Sequence, residues 1–412
     1  MFLIYQLSCI FEFVIILLPM KPMFAERMDN VPKSFIREIL KVAQDKDAIS
    51  FAGGLPHPGL FPVKELELAT SKVFESASTA LQYSNSEGSA ELRNHISRRY
   101  KEKLNLDIPI SQILITTGSQ QGLDLLGKIF INEHDSLIIE EPGYLGAIQA
   151  FSVYRPQFIP VILENDGIDT KALKKIFDTH NPRLMYTVPN FQNPSGISYS
   201  LEKRKEVAEI LKYCQTYLIE DDPYGELRFE GNAKPSFKTL LPDKTILLGT
   251  FSKTVVPSFR IGWVVAPEEI MDKLIIAKQA ADLHTNFFCQ LIISQYFNLF
   301  NSQDHIKTIC DCYGKQKNAM INAINKYFPS GINYTNPEGG MFLWVTLPEG
   351  YSTMNLLKIS SKNKVFFVPG NQFYVNRTSD VNTFRLNFSG LNEKRIDEGI
   401  KLLAESIIEL LK

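Results

Sequence analysis

Between Gly249 and Trp263 the chain reads GTFSKTVVPSFRIGW. Lys253 sits behind two hydroxyls, Thr250 and Ser252, and Arg260 follows seven residues later. The flanking runs, TILLG and IGWVVA, are apolar. A lysine held among apolar groups has its charged form disfavoured, so a useful fraction is neutral and nucleophilic. An arginine with nearby hydroxyls suits an anion, whether phosphate or carboxylate. The plain alternative is that both cations are solvated and their spacing is chance. This stretch alone does not decide between them.

Four more polar groups occupy comparable places, each directly after a short apolar run. ILITT (113–117) is followed by Gly118-Ser119-Gln120 at the start of a helical pattern. Free N–H groups and the helix dipole there favour an anion, unless the turn is an ordinary cap. SLIIE (136–140) precedes Glu141-Pro142-Gly143-Tyr144, whose tyrosine is either a flat stacking wall or a core aromatic. RLMYTV (183–188) precedes Pro189-Asn190-Phe191-Gln192-Asn193-Pro194-Ser195-Gly196. That turn holds Asn193 with its amide free to donate, or is turn chemistry alone. YLIE (217–220) precedes Asp221-Asp222-Pro223-Tyr224. Carboxylates there are costly if buried unpaired, and are loop acids otherwise. Together these positions offer an anion site, an aromatic plate, an amide, a carboxylate with a tyrosine, and a lysine. The set suits one cofactor, pyridoxal 5′-phosphate. Its phosphate needs N–H and hydroxyl donors with an arginine, its ring a stacking face, and its pyridine nitrogen a carboxylate. Its phenolic oxygen needs donors and its aldehyde a lysine amine.

Elements must bring these ends together. Apolar runs alternating with helical patterns from about residue 110 predict a parallel or mostly parallel sheet with helices on both faces. Right-handed crossovers then gather the functional loops on one edge. After about 265 a long helical pattern runs through EEIMDKLIIAKQAADLH to NLF. Beyond it GGMFLWVTL, KVFFVP and TFRLNFS read as strands between turns, and EKRIDEGIKLLAESIIELL as a closing helix. The C-terminal part is therefore α+β.

The sequence resembles the fold-type I pyridoxal-phosphate aminotransferases of class I/II, and within them the branch of α-aminoadipate and kynurenine aminotransferases. The motifs run in family order from about Pro32 to the C-terminus: SFAGGLPHPGLFP, YSNSEGSAELR, TTGSQQGLDLL, EEPGY, TVPNFQNPSG, EDDPY, TFSKTVVPSFRIGW, GGMFLW, VPGNQFY and FRLNFS. The resemblance implies an α/β fold, with a large domain (71–299) whose mostly parallel, seven-stranded-type sheet is sandwiched by helices. A small α+β domain (28–70 and 300–412) completes it, and 1–27 is an apolar extension. It implies that Lys253 binds the cofactor aldehyde and then shuttles the substrate's Cα proton, and that Asp221 pairs with the pyridine nitrogen. Tyr224 and Asn193 would bond the phenolic oxygen, and Tyr144 would stack on the ring. Gly118, Ser119, Gln120, Thr250, Ser252 and Arg260 would surround the phosphate. Tyr83 would reach the partner subunit's cofactor, implying a homodimer. Arg385 would grip the substrate carboxylate, and Gly54 would let substrate lie against the backbone. The expected activity moves the amino group of an α-amino acid to a 2-oxo acid such as 2-oxoglutarate. The amino acid would be of aminoadipate, aromatic or branched-chain type, with β-lyase or racemase chemistry as alternatives on the same scaffold. Thr250 departs from the serine expected there but keeps the hydroxyl.

Composition is consistent with a soluble enzyme of this size. At 412 residues and net charge -1, with charges dispersed, the chain has no basic block for nucleic acid. Regulators that fuse a winged helix to an aminotransferase-like domain need a basic segment before the core. Here about thirty mostly apolar residues precede it. Five sparse cysteines (Cys9, Cys214, Cys289, Cys310, Cys312) predict a reducing, cytoplasmic setting, with Cys310 and Cys312 on a helix. Six histidines without ligand spacing predict no metal. The leader FLIYQLSCIFEFVIILLP lacks a charged n-region and a cleavage site. We expect the start at Met20, Met23 or Met28 and the leader to be non-native or unstructured. A membrane anchor is the alternative, with Lys21, Arg27 and Lys33 on the cytoplasmic side.

Overall fold

A computed structural model describes residues 23–29, 31, 35, 47–376 and 381–412. The leader 1–22 and part of the 28–70 segment lie outside the described residues. The strands begin with β1 (Ile49–Ser50). The next eight are β2 (Ile113–Thr116), β3 (Ser136–Glu141), β4 (Gln157–Glu164), β5 (Gly167–Ile168), β6 (Leu184–Thr187), β7 (Tyr217–Asp221), β8 (Thr245–Thr250) and β9 (Gly262–Val265). They form one sheet in the order β2-β9-β8-β7-β6-β3-β4-β5. The neighbours from β4 across to β8 pair in parallel, and β9 is antiparallel to both β2 and β8. β5 adds a two-residue antiparallel edge to the seven main strands. β2, β6, β8 and β9 are buried at every position, which is why they read as continuous apolar runs rather than alternations.

Among the differences from the sequence expectation, two concern the large sheet and the helices that follow it, and KVFFVP divides into two short strands in different sheets. β4 is absent from that expectation, because Pro160 interrupts QFIPVILE and a proline within a run argues against a strand. The strand forms beside β3, and among the described residues its outer side is paired only at Leu163 and Glu164. Most of that side therefore has no ladder bond for the missing N–H to break. The long helical pattern after 265 is two helices, Glu268–Ala281 and Phe287–Leu299. Leu283 between them has φ +62, and Asn286 caps the second by accepting from Cys289 N–H.

The helix Ser302–Tyr327 carries Cys310 and Cys312 and leads to β10 (Asn333–Tyr334), β11 (Phe342–Thr346), β12 (Val365–Phe366), β13 (Val368–Pro369) and β14 (Thr383–Asn387). β10, β11, β14 and β13 form an antiparallel sheet in that order, and β12 pairs in parallel with β1. The last helix, Glu393–Leu411, buries Ile396, Ile400, Leu403 and Ile407 along one stripe. One buried cluster runs from Leu114, Tyr186 and Leu248 of the large sheet to Phe342 and Leu386 of the second and on to Leu403. The two sheets are thus held by continuous apolar packing, and the edge of the large sheet faces β11 and β14.

The register brings the site loops together. Gly262 at the start of β9 pairs with both Thr116, at the end of β2, and Thr250, at the end of β8. A Cβ on Gly262 would lie 2.6 Å from Ser119 N, 2.7 Å from Gly118 C and 2.8 Å from Gly249 O. All three are backbone atoms, so nothing can turn aside. Gly262→Ala is expected to cost at least about 1–3 kcal/mol by overpacking, read as a lower urea midpoint with an unchanged m-value. An unaltered midpoint would mean the β2, β8 and β9 ends are not packed this closely.

Among the described residues, Cys214, Cys289, Cys310 and Cys312 are unlinked, and no group of side chains could hold a metal ion. No described helix is long and apolar enough to cross a membrane.

Candidate active site

Lys253 lies in the turn after β8, and its Nζ donates to the Gly54 carbonyl at 2.7 Å. Among the described residues it has no carboxylate partner. Burial, with Arg385 and Arg260 nearby, pushes its amine down to about 8. Beside it Thr250 Oγ1 donates to Ser252 Oγ at 2.9 Å and accepts from Ser252 N–H at 3.1 Å. Arg260 adopts φ +55 and its Nη1 donates to Ser252 Oγ at 3.3 Å. Gly118, at φ +72, faces the same guanidinium, and a Cβ there would stand 2.5 Å from Arg260 Nη2. The positive φ suits glycine, and a side chain there would push the guanidinium aside. Gly118 is also the cap of the helix Ser119–Phe130 and brings no side chain to its open first-turn amides. Gln120 turns away from them, donating to Gly146 O at 2.8 Å.

Three consecutive acids at the end of β7 have three fates. Glu220 is buried beside Arg204, at 3.8 Å, and accepts from Ser236. Asp222 accepts from Asn190 Nδ2 at 3.0 Å and Gly225 N–H at 2.8 Å. Asp221, also buried, accepts from the Tyr186 hydroxyl at 2.8 Å through Oδ2. Its Oδ1 is buried with no partner, and no ion pair reaches Asp221 among the described residues. Burial pushes its carboxyl up to about 7. The Tyr186 bond opposes this, while Asp222 and Glu140 add to it. The positive partner that buried acids call for is thus present for Glu220 and missing for Asp221.

Arg385 of β14 closes the other side. It is 1% exposed, with its guanidinium 4.3 Å from the Phe342 ring centre and 5.2 Å from that of Phe373. Nη1 donates to Asn193 Oδ1 at 2.8 Å and Nη2 to Ala52 O at 2.6 Å, while Nε is buried without a partner. Burial brings the guanidinium down to about 10. Asn193 Nδ2 stands 3.5 Å from the Tyr224 hydroxyl. Tyr144 caps the helix Leu145–Ser152, and burial, then the Asp221 charge, pushes its phenol up to about 12. A Cβ on Gly54 would lie 3.1 Å from Phe342 Cζ, so a side chain there would crowd this wall. Tyr83 stands apart from the cluster, 81% exposed, with its ring 5.8 Å from that of His284.

Sequence reasoning missed Tyr186, Glu140, Gln192 and Arg204. Each sits inside a run read as strand, turn or helix. A tyrosine in a fully buried strand is the one available signal, because its hydroxyl must find a partner.

The comparisons with known proteins fit this geometry. Residues 50–403 match the model of the family described as aminotransferase class I and II. The chain belongs to that family. Over 94% of its length it is 41% identical to aromatic-amino-acid aminotransferase 1 of Thermococcus litoralis, covering 95% of that protein. It is 37% identical to 2-aminoadipate transaminase of Thermus thermophilus, over 95% of this chain and 99% of the relative. Among solved structures, kynurenine aminotransferase of Pyrococcus horikoshii superposes with a TM-score of 0.90 at 40% identity, covering 94% of this chain and 98% of that one. The protein is a pyridoxal-phosphate-dependent aminotransferase of fold type I.

Proposed function

We propose that this aminotransferase moves the α-amino group of an aminoadipate, aromatic or branched-chain amino acid to a 2-oxo acid such as 2-oxoglutarate, in ping-pong fashion at the Lys253 edge of the large sheet. The observation that carries the assignment is the orphaned, buried Oδ1 of Asp221. A protonated pyridine nitrogen is both the missing donor and the missing cation, so the residues present fit the cofactor. Gly118, Ser119, Gln120, Thr250, Ser252 and Arg260 would hold its phosphate, through open helix amides, hydroxyls and the guanidinium. Tyr144 would cover the ring, and Tyr224 with Asn193 would donate to its phenolic oxygen.

When bound, pyridoxal phosphate supplies a sink for the electron pair left as Cα loses its proton. The chain does the rest. Asp221 would pair as a carboxylate with the protonated ring nitrogen, helped by the Tyr186 hydroxyl on its other oxygen. Lys253 would hold the cofactor through its amine, and that amine, when free, would take the substrate's Cα proton and give one back. Its lowered pKa leaves it a working base near neutral pH. Arg385 holds the α-carboxylate, with Asn193 beside it, and the Phe342 and Phe373 rings keep water away. Gly54 leaves room at the backbone.

The relatives' names support the aminoadipate and aromatic donor classes. Tyr83 supports a homodimer, since it is exposed next to the exposed Leu81 and Leu283 and would serve the partner's phosphate site. The cytoplasmic setting rests on the sparse cysteines of the sequence, four of them unlinked among the described residues. The deciding experiment is an absorption spectrum of the purified holoenzyme against a panel of amino acids. Loss of the visible band with some donors and its return with 2-oxoglutarate is expected. A band that answers to no amino acid would move the reaction to another chemistry.

Arg385→Lys gives a second expected result. Lysine lacks the planar two-point fork. Losing one partner of a buried charged contact costs about 2–5 kcal/mol, or about thirty-fold or more in KM for the donor. An unchanged KM would remove Arg385 from the carboxylate site.

A further inference from the structure

We propose that Gln192, anchored on the buried carboxylate of Glu140, is a positioning residue that fixes Asn193, and through it Arg385, against the Pro142–Tyr144 turn. Glu140 ends the apolar part of β3 and is 2% exposed. No ion pair reaches it among the described residues. Its Oε1 accepts from the Thr187 hydroxyl, from Val188 N–H at 3.1 Å and from the Tyr199 hydroxyl at 2.8 Å. Its Oε2 accepts from Gln192 Nε2 at 3.0 Å. A buried carboxylate satisfied by neutral donors is costly and adds little stability over an apolar residue of similar size. What it adds is direction: an acceptor at a fixed point, from which the 189–196 loop is hung.

Gln192 uses that point fully. Nε2 also donates to Pro142 O at 2.7 Å, and Oε1 accepts from Ser195 N–H at 2.9 Å and Ser195 Oγ at 2.7 Å. Two donor and two acceptor positions are all a glutamine amide has, and all four are engaged. The side chain cannot swing without breaking buried bonds. Its main chain is held too, with Gln192 N–H on Ile197 O at 2.8 Å and Gly196 N–H on Gln192 O at 2.6 Å. The next residue is Asn193, whose Oδ1 accepts from Arg385 Nη1. One bridge therefore connects the turn that carries Tyr144, the loop that carries Asn193 and the guanidinium on β14. The inference rests on the reading above, in which Asn193 and Arg385 face the substrate.

The test compares Gln192→Met, close in shape but with no amide, with Tyr199→Phe. The latter removes one donor to Glu140 and leaves Gln192 alone. Both are loaded with pyridoxal phosphate and assayed for kcat and KM of the amino donor. Amide hydrogen exchange of residues 190–197 is followed in the cofactor-free proteins. Misplacement by an ångström costs up to about a hundred-fold, so Gln192→Met should raise KM by about ten- to a hundred-fold and speed exchange across 193–197. Tyr199→Phe should lower Tm and leave KM and exchange as in the parent. The inference is overturned if Gln192→Met loses Tm but keeps parental KM and exchange. Should Gln192→Met not fold, Ser195→Ala replaces it, removing one of the two bonds to Gln192 Oε1 and also the acceptor of Ile197 N–H, so exchange is then read at Asn193, Ser195 and Gly196. A smaller change in the same direction supports the bridge, and parental KM and exchange overturn it. If Arg385→Lys is impaired while the Gln192 variant is normal, only this inference fails. If Arg385→Lys is also normal, the reading beneath it fails.

Discussion

Lys253→Ala is expected to lose transamination by at least about 10⁴-fold, because positioned proton transfer alone contributes about 10²–10⁴ and the covalent hold on the cofactor is lost with it. The loss should fall on kcat, with the visible band displaced even before substrate is added. A second measurement isolates the amine itself. Burial, Arg385 and Arg260 depress Lys253 to about 8. The rate at which cofactor-free protein takes up pyridoxal phosphate should therefore rise with pH, as the neutral amine forms, through a midpoint near 8 rather than near the ordinary 10.5. The same shift has a stability sign. Between those two values the unfolded chain binds the proton that the folded chain has released, so cofactor-free stability should increase across that window. Lys253→Ala should flatten that rise. Normal turnover in the alanine variant would end the mechanism proposed for this site.

How much of this was legible in the sequence follows from what each signal measures. The strands that end at the site are buried on both faces, so ILIT, LMYT and TILLGT stand out as apolar runs and their ends mark the loops. The polar residues just past those ends, Gly118, Asn193, Asp221 and Lys253, were therefore findable. Tyr83 is different, because its place depends on a second copy and a single chain leaves it in solvent. Pro160 hid β4 because the sequence does not say which strand is near an edge. The supporting residues were hidden for another reason. Tyr186, Glu140 and Gln192 act through hydrogen bonds to residues 35 to 59 positions away. Only Gln192's bond to Ser195 is local. No local pattern carries such distances, and only the sheet order brings β3, β6 and β7 side by side.

Asp221→Asn is expected to show opposite effects on activity and on stability. Asparagine keeps the shape but loses the charge that would hold the ring nitrogen protonated. An uncompensated buried charge costs about 3–5 kcal/mol, so the rate of Cα proton loss in a single turnover should fall by about 10²–10³-fold or more. Without cofactor the order reverses. Burial raises the Asp221 carboxyl from 3.8 to about 7, so folding favours its protonated form. The stability tied to that proton is fully present below the unfolded pKa and is lost as pH rises through the folded one. Cofactor-free parent protein should thus weaken from about pH 4 to 7, by on the order of 2–4 kcal/mol. The asparagine variant should not weaken in this way, and at neutral pH it should be the more stable of the two. Adding pyridoxal phosphate should restore the parent's advantage, because the cofactor brings the charge that Asp221 lacks. A parent that is as stable without cofactor as its asparagine variant at pH 7 would show that Oδ1 already has a partner. The pyridine nitrogen would then have to find its counter-charge elsewhere. The orphaned oxygen is a cost the fold carries until the cofactor binds, and that same cost is what makes the bound ring an effective electron sink.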